Sequence, residues 1–405
     1  MSRVLLFLPT LSYRAPELLS AAQSLGVDVT IAAEKRNIMT DLRPSEYLEV
    51  DFDDFEKLLL SVKEFHAQYP IDAVLGIDDV TVAAASVVCQ EFGWKTNSQK
   101  SVNAAQNKIE SHQLFYENNV PCAQFQIFEA GLSAEVMSAN LEYPCVIKPV
   151  DRSGSQGVMR VDDDGELKTA LARIRKIQEK WSRDDRVIVE RYFDGKEIAV
   201  EGILQEERLR VLTIFDKPVP LQGPFFEETI FVTPTQLGSD VTEKVARITQ
   251  KGINALGLTT GPIHAEIRMN DEEMILLEIA PRPIGGKCSR SFRLQDGRSL
   301  EEVVLTQVLG RDLGTLVPDS SPSGVMMIPI PHQGIFDRID GIETASELEG
   351  IVEILITAGP GENIEPLPEG SKYLGFIFAR GSTRNQVVES LKNAHSELSV
   401  KLKSN

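Results

Sequence analysis

The segment from His264 to Arg282 constrains this chain more than any other. It reads as a hairpin, with two strand-like runs flanking the polar turn Asn270-Asp271-Glu272-Glu273. Folded symmetrically about Glu272, the hairpin sets Glu266 opposite Glu278. Directly opposed residues share a sheet face, with Cβ atoms roughly 5 Å apart. Two carboxylates that close repel unless one is protonated or a cation lies between them. Hard cations such as Mg²⁺ take oxygen ligands, usually one or two carboxylates plus substrate phosphates. Glu266 and Glu278 are therefore candidate metal ligands, forming half of a metal–nucleotide site. The plainer alternative is two solvated glutamates on an exposed sheet face.

A chain of 405 residues has room for two or three domains and a sizeable core. Its 42% hydrophobic and 25% charged residues fit an ordinary globular protein. The net charge of −18 repels a phosphate backbone, which argues against a nucleic-acid partner. Cys89, Cys122, Cys145 and Cys288 show no metal-like spacing and read as free thiols in a reducing cytoplasm. The apolar run near the start is short and stopped by Pro9, so it reads as a first strand. No apolar run approaches the roughly 20 residues of a membrane span.

The expected fold class is α/β and α+β, in several domains. Residues 1–98 alternate strand and helix, with strands at Val4–Leu8, Val27–Ala33 and Ile71–Ile77. That alternation implies a parallel sheet. Asp78 or Asp79 can cap a helix over Val80–Phe92. The first strand-to-helix turn, Pro9 to Pro16, has no glycine, which disfavours a dinucleotide fingerprint. A polar helix over 98–118 carries Lys108. Short strands, the charged helix Glu166–Trp181, a hairpin over 197–215 and the helix Asp240–Leu256 follow. Residues 99–311 read as the next domain. Residues 312–323 read as a linker to a small α+β domain that completes 312–405.

Lys148 ends the strand Tyr143–Pro149, and the loop Asp151–Val158 follows at once, carrying Ser153, Gly154, Ser155 and Gly157. Small residues let backbone N–H groups approach phosphate oxygens while a lysine adds a point charge. The lysine precedes the glycines, so this is not a Walker A loop, and a surface hairpin is an equal alternative. In Arg186–Glu197 a buried strand ends at Glu190 and a turn brings Glu197. Backbone groups there suit a base and a carboxylate suits ribose hydroxyls; the alternative is an amphipathic strand with surface acids.

In this order the motifs resemble the ATP-grasp superfamily, and within it the carboxylate–amine ligases typified by bacterial L-amino acid ligases. They run Lys108; Ile147-Lys148-Pro149 with its Gly/Ser loop; Glu190 to Glu197; His264-Ala-Glu266; and Leu277-Glu278-Ile-Ala-Pro-Arg282-Pro-Ile-Gly-Gly286. The resemblance implies that 99–311 is an ATP-grasp domain with a lid lobe at about 120–188 and a metal-binding lobe at about 189–311, and that ATP is held between the lobes with Mg²⁺, for which Mn²⁺ can substitute. It implies that Lys108 and Lys148 bind the nucleotide and that Ser153 to Val158 form the mobile phosphate loop. By the same resemblance Glu190, Arg191, Tyr192 and Phe193 are the adenine hinge, Glu197 the ribose acid, and Glu266 and Glu278 the metal ligands. Many ATP-grasp enzymes carry a further asparagine ligand where this chain has Ala280, a departure that favours the amino acid ligase branch. Relatives are often dimers, so the resemblance offers a homodimer as one assembly and leaves the oligomeric state open.

Arg282 lies four residues past Glu278, and its fork suits an acyl phosphate or a substrate carboxylate. Held by a neighbouring acid, it would be merely structural. Gly285 and Gly286 present backbone N–H groups to an anion or form a turn. His264 shares a face with Glu266 and either touches substrate or serves as a hydrogen-bonded structural histidine. The loop Lys217–Glu228 would wall an amine pocket, where Glu227 or Glu228 meets an ammonium group; a stiff surface loop is the alternative. His66, His112, His332 and His395 receive no role. The expected activity is an ADP-forming ligase that joins small carboxylate and amine substrates through an acyl phosphate. An ATP-dependent carboxylase or purine-pathway ligase of the same fold, and a catalytically decayed nucleotide-binding scaffold, are the alternatives.

Overall fold

Two apolar runs buried on both faces, Arg3–Phe7 and Ala73–Gly76, anchor the N-terminal sheet. Its four parallel strands lie in the order Tyr47–Glu49, Asp28–Ala33, Arg3–Phe7, Ala73–Gly76. The computed structural model describes residues 2–10, 12–35, 42–182 and 184–403. Of the two candidate caps, Asp78 accepts the Thr81 N–H at 3.0 Å and opens the helix Asp79–Glu91. Asp79 is thereby left in the first turn with its carboxylate available elsewhere.

The single helix expected over 98–118 is two, Gln99–Gln106 and Lys108–Glu117. Asn107 is extended, and its side chain accepts the N–H groups of Ile109 and Glu110. An asparagine competes with the helix for backbone partners and restarts it as an N-cap. The restart puts Lys108 at the first position of the second helix. The lid lobe is a four-stranded antiparallel sheet ordered Phe125–Phe128, Val187–Arg191, Cys145–Pro149, Met159–Val161. Leu167, Ala170, Leu171 and Ile174 of the helix Asp164–Trp181 bury against it.

The largest sheet has eight strands, ordered Met274–Ala280, Gly261–Met269, Lys196–Gln205, Arg208–Asp216, Ile230–Thr233, Ser323–Ile328, Gly375–Arg380, Ile351–Ile356. It runs without a break across the boundary expected at 312. Residues 312–323 are not a free linker: Leu313 is buried, and Arg298 binds the carbonyls of Leu313 and Thr315. A three-stranded sheet of Asn363–Ile364, Gly334–Asp340 and Ser399–Lys403 escaped the sequence reading. The outer two are short or alternate only between exposed and half-buried, so their pattern is faint.

Glu266 does pair with Glu278, but not through a symmetric hairpin. Met269 faces Met274 and Ile267 faces Leu276, a register that would bring Leu277 to Glu266. A β-bulge between Ile267 and Glu266 moves Glu278 into place. Bulges re-aim side chains in this way beside functional sites. Behind the hairpin, the helix Ser239–Leu256 comes so close that a Cβ on Gly252 would lie 2.4 Å from the Leu276 side chain.

Candidate active site

The two opposed glutamates have the company that their repulsion demands. Lys217 Nζ lies 2.8 Å from Glu266 and 2.6 Å from Glu197, and it also bonds Glu228. Burial alone would discharge Lys217, but Glu197, Glu228 and Glu266 hold its ammonium well above the ordinary lysine value. Burial and the neighbouring Glu266 push the Glu228 carboxyl well up, opposed by Lys217. Glu266 is held well below its usual value: Lys217 and His264 outweigh burial. One ligand atom each from His264, Glu266 and Glu278 falls within 4.8 Å of the others, as do atoms of Glu197, Glu228 and Glu266. The donor chemistry, mostly carboxylate oxygen, fits a divalent cation.

Register explains the rest of this wall. The strand Lys196–Gln205 pairs with Gly261–Met269, setting Glu201 beside His264 and Glu197 beside Arg268. His264 Nδ1 and Glu201 Oε1 are 2.6 Å apart, and the other Glu201 oxygen accepts the Ile284 N–H at 3.0 Å. The His264 ring is buried; despite that burial, Glu201 raises its pKa to about 9. Arg268 Nε donates to Glu197 at 2.9 Å and its Nη1 to the Phe193 carbonyl at 3.0 Å. Both oxygens of Glu197, the expected ribose acid, thus already have basic partners.

The opposite wall is built on lysines. Lys148 Nζ donates to buried Glu190 at 2.7 Å, and His112 Nε2 lies 3.1 Å from the other Glu190 oxygen without aligning to donate. Burial opposes a charged Glu190, yet Lys148 and His112 hold it far below the usual carboxylate range. Glu190 therefore contributes a buried side chain, where a hinge of backbone groups was expected. The Lys108 backbone N–H binds the Val150 carbonyl at 3.0 Å, and its Nζ reaches the Arg152 carbonyl. Burial lowers the Lys108 pKa, opposed by Glu278, Asp79 and Glu190 and aided by Lys148, so Lys108 stands where the two walls meet.

Arg282 enters that meeting point from the hairpin end. Its Nε donates to Asp79 at 2.8 Å and its Nη1 to the Pro283 carbonyl at 3.3 Å. Burial would weaken its charge, but Asp79 and Glu278 more than restore it. Asp79 is held low against burial by Arg282, by the Ser153 side chain and by Lys108. One aspartate of the N-terminal domain thus touches the arginine and the first residue of the glycine loop. In that loop Gly154, Ser155 and Gly157 have positive φ of 62°, 57° and 75°. Its Gly157 N–H and Gln156 amide bind the Pro368 and Glu369 carbonyls at 2.9 and 2.6 Å. Val158 packs with Val146, Leu221, Phe226 and Tyr192.

Other expected residues are placed differently. The N–H groups of Arg191 and Tyr192 go to the Gln124 and Pro144 carbonyls. Gly286 does not offer its N–H to an anion: the Tyr13 hydroxyl accepts it at 3.0 Å, and Gly285 lies against Tyr13 and Arg14. Glu227 is half-buried and pushed up by that burial, while Glu228 meets the chain's own ammonium, Lys217.

Sequence reasoning passed over Lys217, Glu201, Arg268 and His112. A signal existed for the first: Lys217-Pro218 repeats, after a buried strand, the dipeptide Lys148-Pro149. Glu197 and Glu201 also share a strand face, two steps of the alternation apart. Nothing in spacing pointed to His112, whose role arises from packing against Phe115 and Phe125.

Lysines, opposed glutamates and a glycine loop thus lie together, and the chain carries an ATP-grasp domain with an ATP-grasp N-terminal domain before it. Residues 141–291 match the ATP-grasp domain, 19–94 the ATP-grasp N-terminal domain and 326–403 the L-amino acid ligase C-terminal domain 2. The chain is 22% identical over 350 residues to the uncharacterized protein y4rH of Sinorhizobium fredii, covering 86% of this chain and 72% of that one. It is 27% identical over 217 residues to a D-alanine–D-alanine ligase of Pediococcus pentosaceus, covering 51% and 58%. Its fold matches an L-amino acid ligase from Bacillus licheniformis with a TM-score of 0.82 at 22% identity, over 100% and 99% of the two chains. No helix among the described residues is long and apolar enough to cross a membrane.

Proposed function

We propose that this protein is an ATP-dependent ligase that joins a carboxylate to an amine, one of them an amino acid, and releases ADP and phosphate. The observation that carries the reading is the convergence of Lys108, Lys148, Asp79-held Arg282 and the Glu266–Glu278 pair on one place. Phosphoryl transfer asks a protein mainly for positioning and charge neutralisation, which lysines, metal-binding carboxylates and an arginine supply. The absence of any need for a nucleophilic side chain fits a substrate carboxylate attacking phosphorus. An acyl phosphate then forms, and the amine displaces phosphate from it.

In this scheme Glu266 and Glu278 hold the divalent cation, Mg²⁺ or Mn²⁺, whose contribution is to neutralise the nucleotide's phosphate charge. Lys108 and Lys148 neutralise what remains, and the loop Ser153–Val158 covers the phosphates. Glu190 with Phe193 borders the base, and a ribose hydroxyl shares Glu197 with Lys217 and Arg268. Arg282 steadies the acyl phosphate, with Asp79 fixing its direction. The loop 217–228, with Glu227, walls the amine side, and His264 stands at the carboxylate side. The L-amino acid ligase C-terminal domain favours amino acid substrates over a carboxylase or purine-pathway activity. Four free cysteines suit a cytoplasmic setting. Phosphate release over pairs of amino acids, with mass spectrometry of the product, tests the reading. ATP binding with no turnover on any pair would leave a nucleotide-binding scaffold in its place.

A further inference from the structure

The histidine beside the two glutamates has a geometry that a structural role leaves half unused. His264 and Glu266 lie on one face of the same strand, and Glu278 faces them across the hairpin. Atoms from all three lie within 4.8 Å of one another. Glu201, itself 1% exposed, fixes the ring through Nδ1 at 2.6 Å and is in turn fixed by the Ile284 N–H. The ring is therefore turned so that Nε2 faces the carboxylates. There it stands 3.7 Å from Glu266, too far for a hydrogen bond. Metal-binding histidines nearly always have this outer partner, a carboxylate or carbonyl holding the second ring nitrogen.

We propose that His264 is a third protein ligand of the cation at Glu266 and Glu278, with Glu201 as its positioning residue. This rests on the reading of those glutamates as metal ligands. A cation entering between Nε2 and the carboxylates releases the Nε2 proton to solvent, and the nitrogen lone pair takes its place. The consequence is selectivity. Mg²⁺ prefers oxygen ligands, whereas an imidazole raises affinity for later divalent ions such as Mn²⁺ and, more strongly, Co²⁺. The site is thus built for a transition ion more than for Mg²⁺.

The test uses the full chain loaded with Mn²⁺ and read by pulsed electron paramagnetic resonance, with ordinary and with ¹⁵N-labelled histidine. The expected result is a nitrogen coupling that changes with the label and disappears in His264→Gln. None of the other four histidines belongs to this cluster among the described residues, so the label is specific. Co²⁺ binding by calorimetry should weaken about 10–100-fold in Glu201→Gln, the usual cost of losing an outer partner. If His264→Gln does not fold, the isotope switch in the unaltered chain still decides. Mn²⁺ that binds, is lost in Glu266→Gln, and shows no histidine coupling would overturn the role of His264 and leave the metal reading standing. Failure of the unaltered chain to bind Mn²⁺ at all would overturn both.

Discussion

Lys148 and Lys217 occupy similar local sequence positions, at the end of an apolar strand and directly before a proline, yet their surroundings are opposite. Lys148 meets one carboxylate, Glu190, which His112 approaches from the other side. Lys217 sits among three, Glu197, Glu228 and Glu266. The first cluster is short of negative charge and the second has it in excess. A lysine at the end of a strand is therefore not a role in itself. The carboxylates contributed by neighbouring strands decide whether the place attracts phosphate or a metal cation.

The contrast is broken most severely by removing the ammonium. Lys217→Met should lower stability by about 3–5 kcal/mol, the cost of stripping a buried ion pair of its partner. Added Mn²⁺ should return much of that loss in urea denaturation; Lys148→Met should gain nothing from the ion. Equal rescue of both variants would erase the distinction. Next in size, Arg282→Ala should lower turnover by about 100-fold, the order expected for losing one electrostatic stabiliser, while nucleotide affinity holds. Measured kcat and nucleotide Kd separate the two, and a change in Kd alone would move Arg282 out of the reaction.

The pH response should divide the clusters further. Glu190 has its native pKa depressed below the ordinary 4.5, so its contribution is complete above that pH and drains away as pH falls. Lys217 has its native pKa raised above 10.5, so its contribution is complete below that pH and is lost on the alkaline side. Denaturation of Glu190→Gln should show a flatter acid limb below pH 4.5 and an unchanged alkaline one. A mirror-image result would reverse the assignment of the two clusters. The smallest effect belongs to the cover over the lysine side. Arg173 holds Glu369 through a half-exposed bidentate pair at 2.6 and 2.7 Å, beside the carbonyls that bind the glycine loop. Arg173→Ala should cost at most about 1 kcal/mol, as exposed pairs do, and proteolysis near Gly157 should quicken.

Much of this was legible because it depends on alternation and spacing. The parallel N-terminal sheet, the opposed glutamates and the order of lysines, glycine loop and arginine follow from residues close in sequence. What stayed hidden depends on register or packing between distant segments. Glu201 reaches His264 only because two strands align, and the bulge that delivers Glu278 is invisible to a symmetric fold about Glu272. Asp79 read as a cap, because only the tertiary fold brings Arg282 to it. The small terminal sheet was missed where half-exposed strands blur the alternation.

The sheet that passes from Arg208–Asp216, through the single pair Asp216–Val232, to Ile230–Thr233 and on to Ser323–Ile328 bears on how such a chain diversifies over generations. Exchange of residues 323–403 is constrained, because a recombinant tail would have to reproduce the hydrogen bonding of a shared interior edge and fit beside buried Phe231. On the proposed function, heritable variation in substrate choice is channelled instead into segments that leave the ladder alone, such as the loop between Lys217 and Glu228.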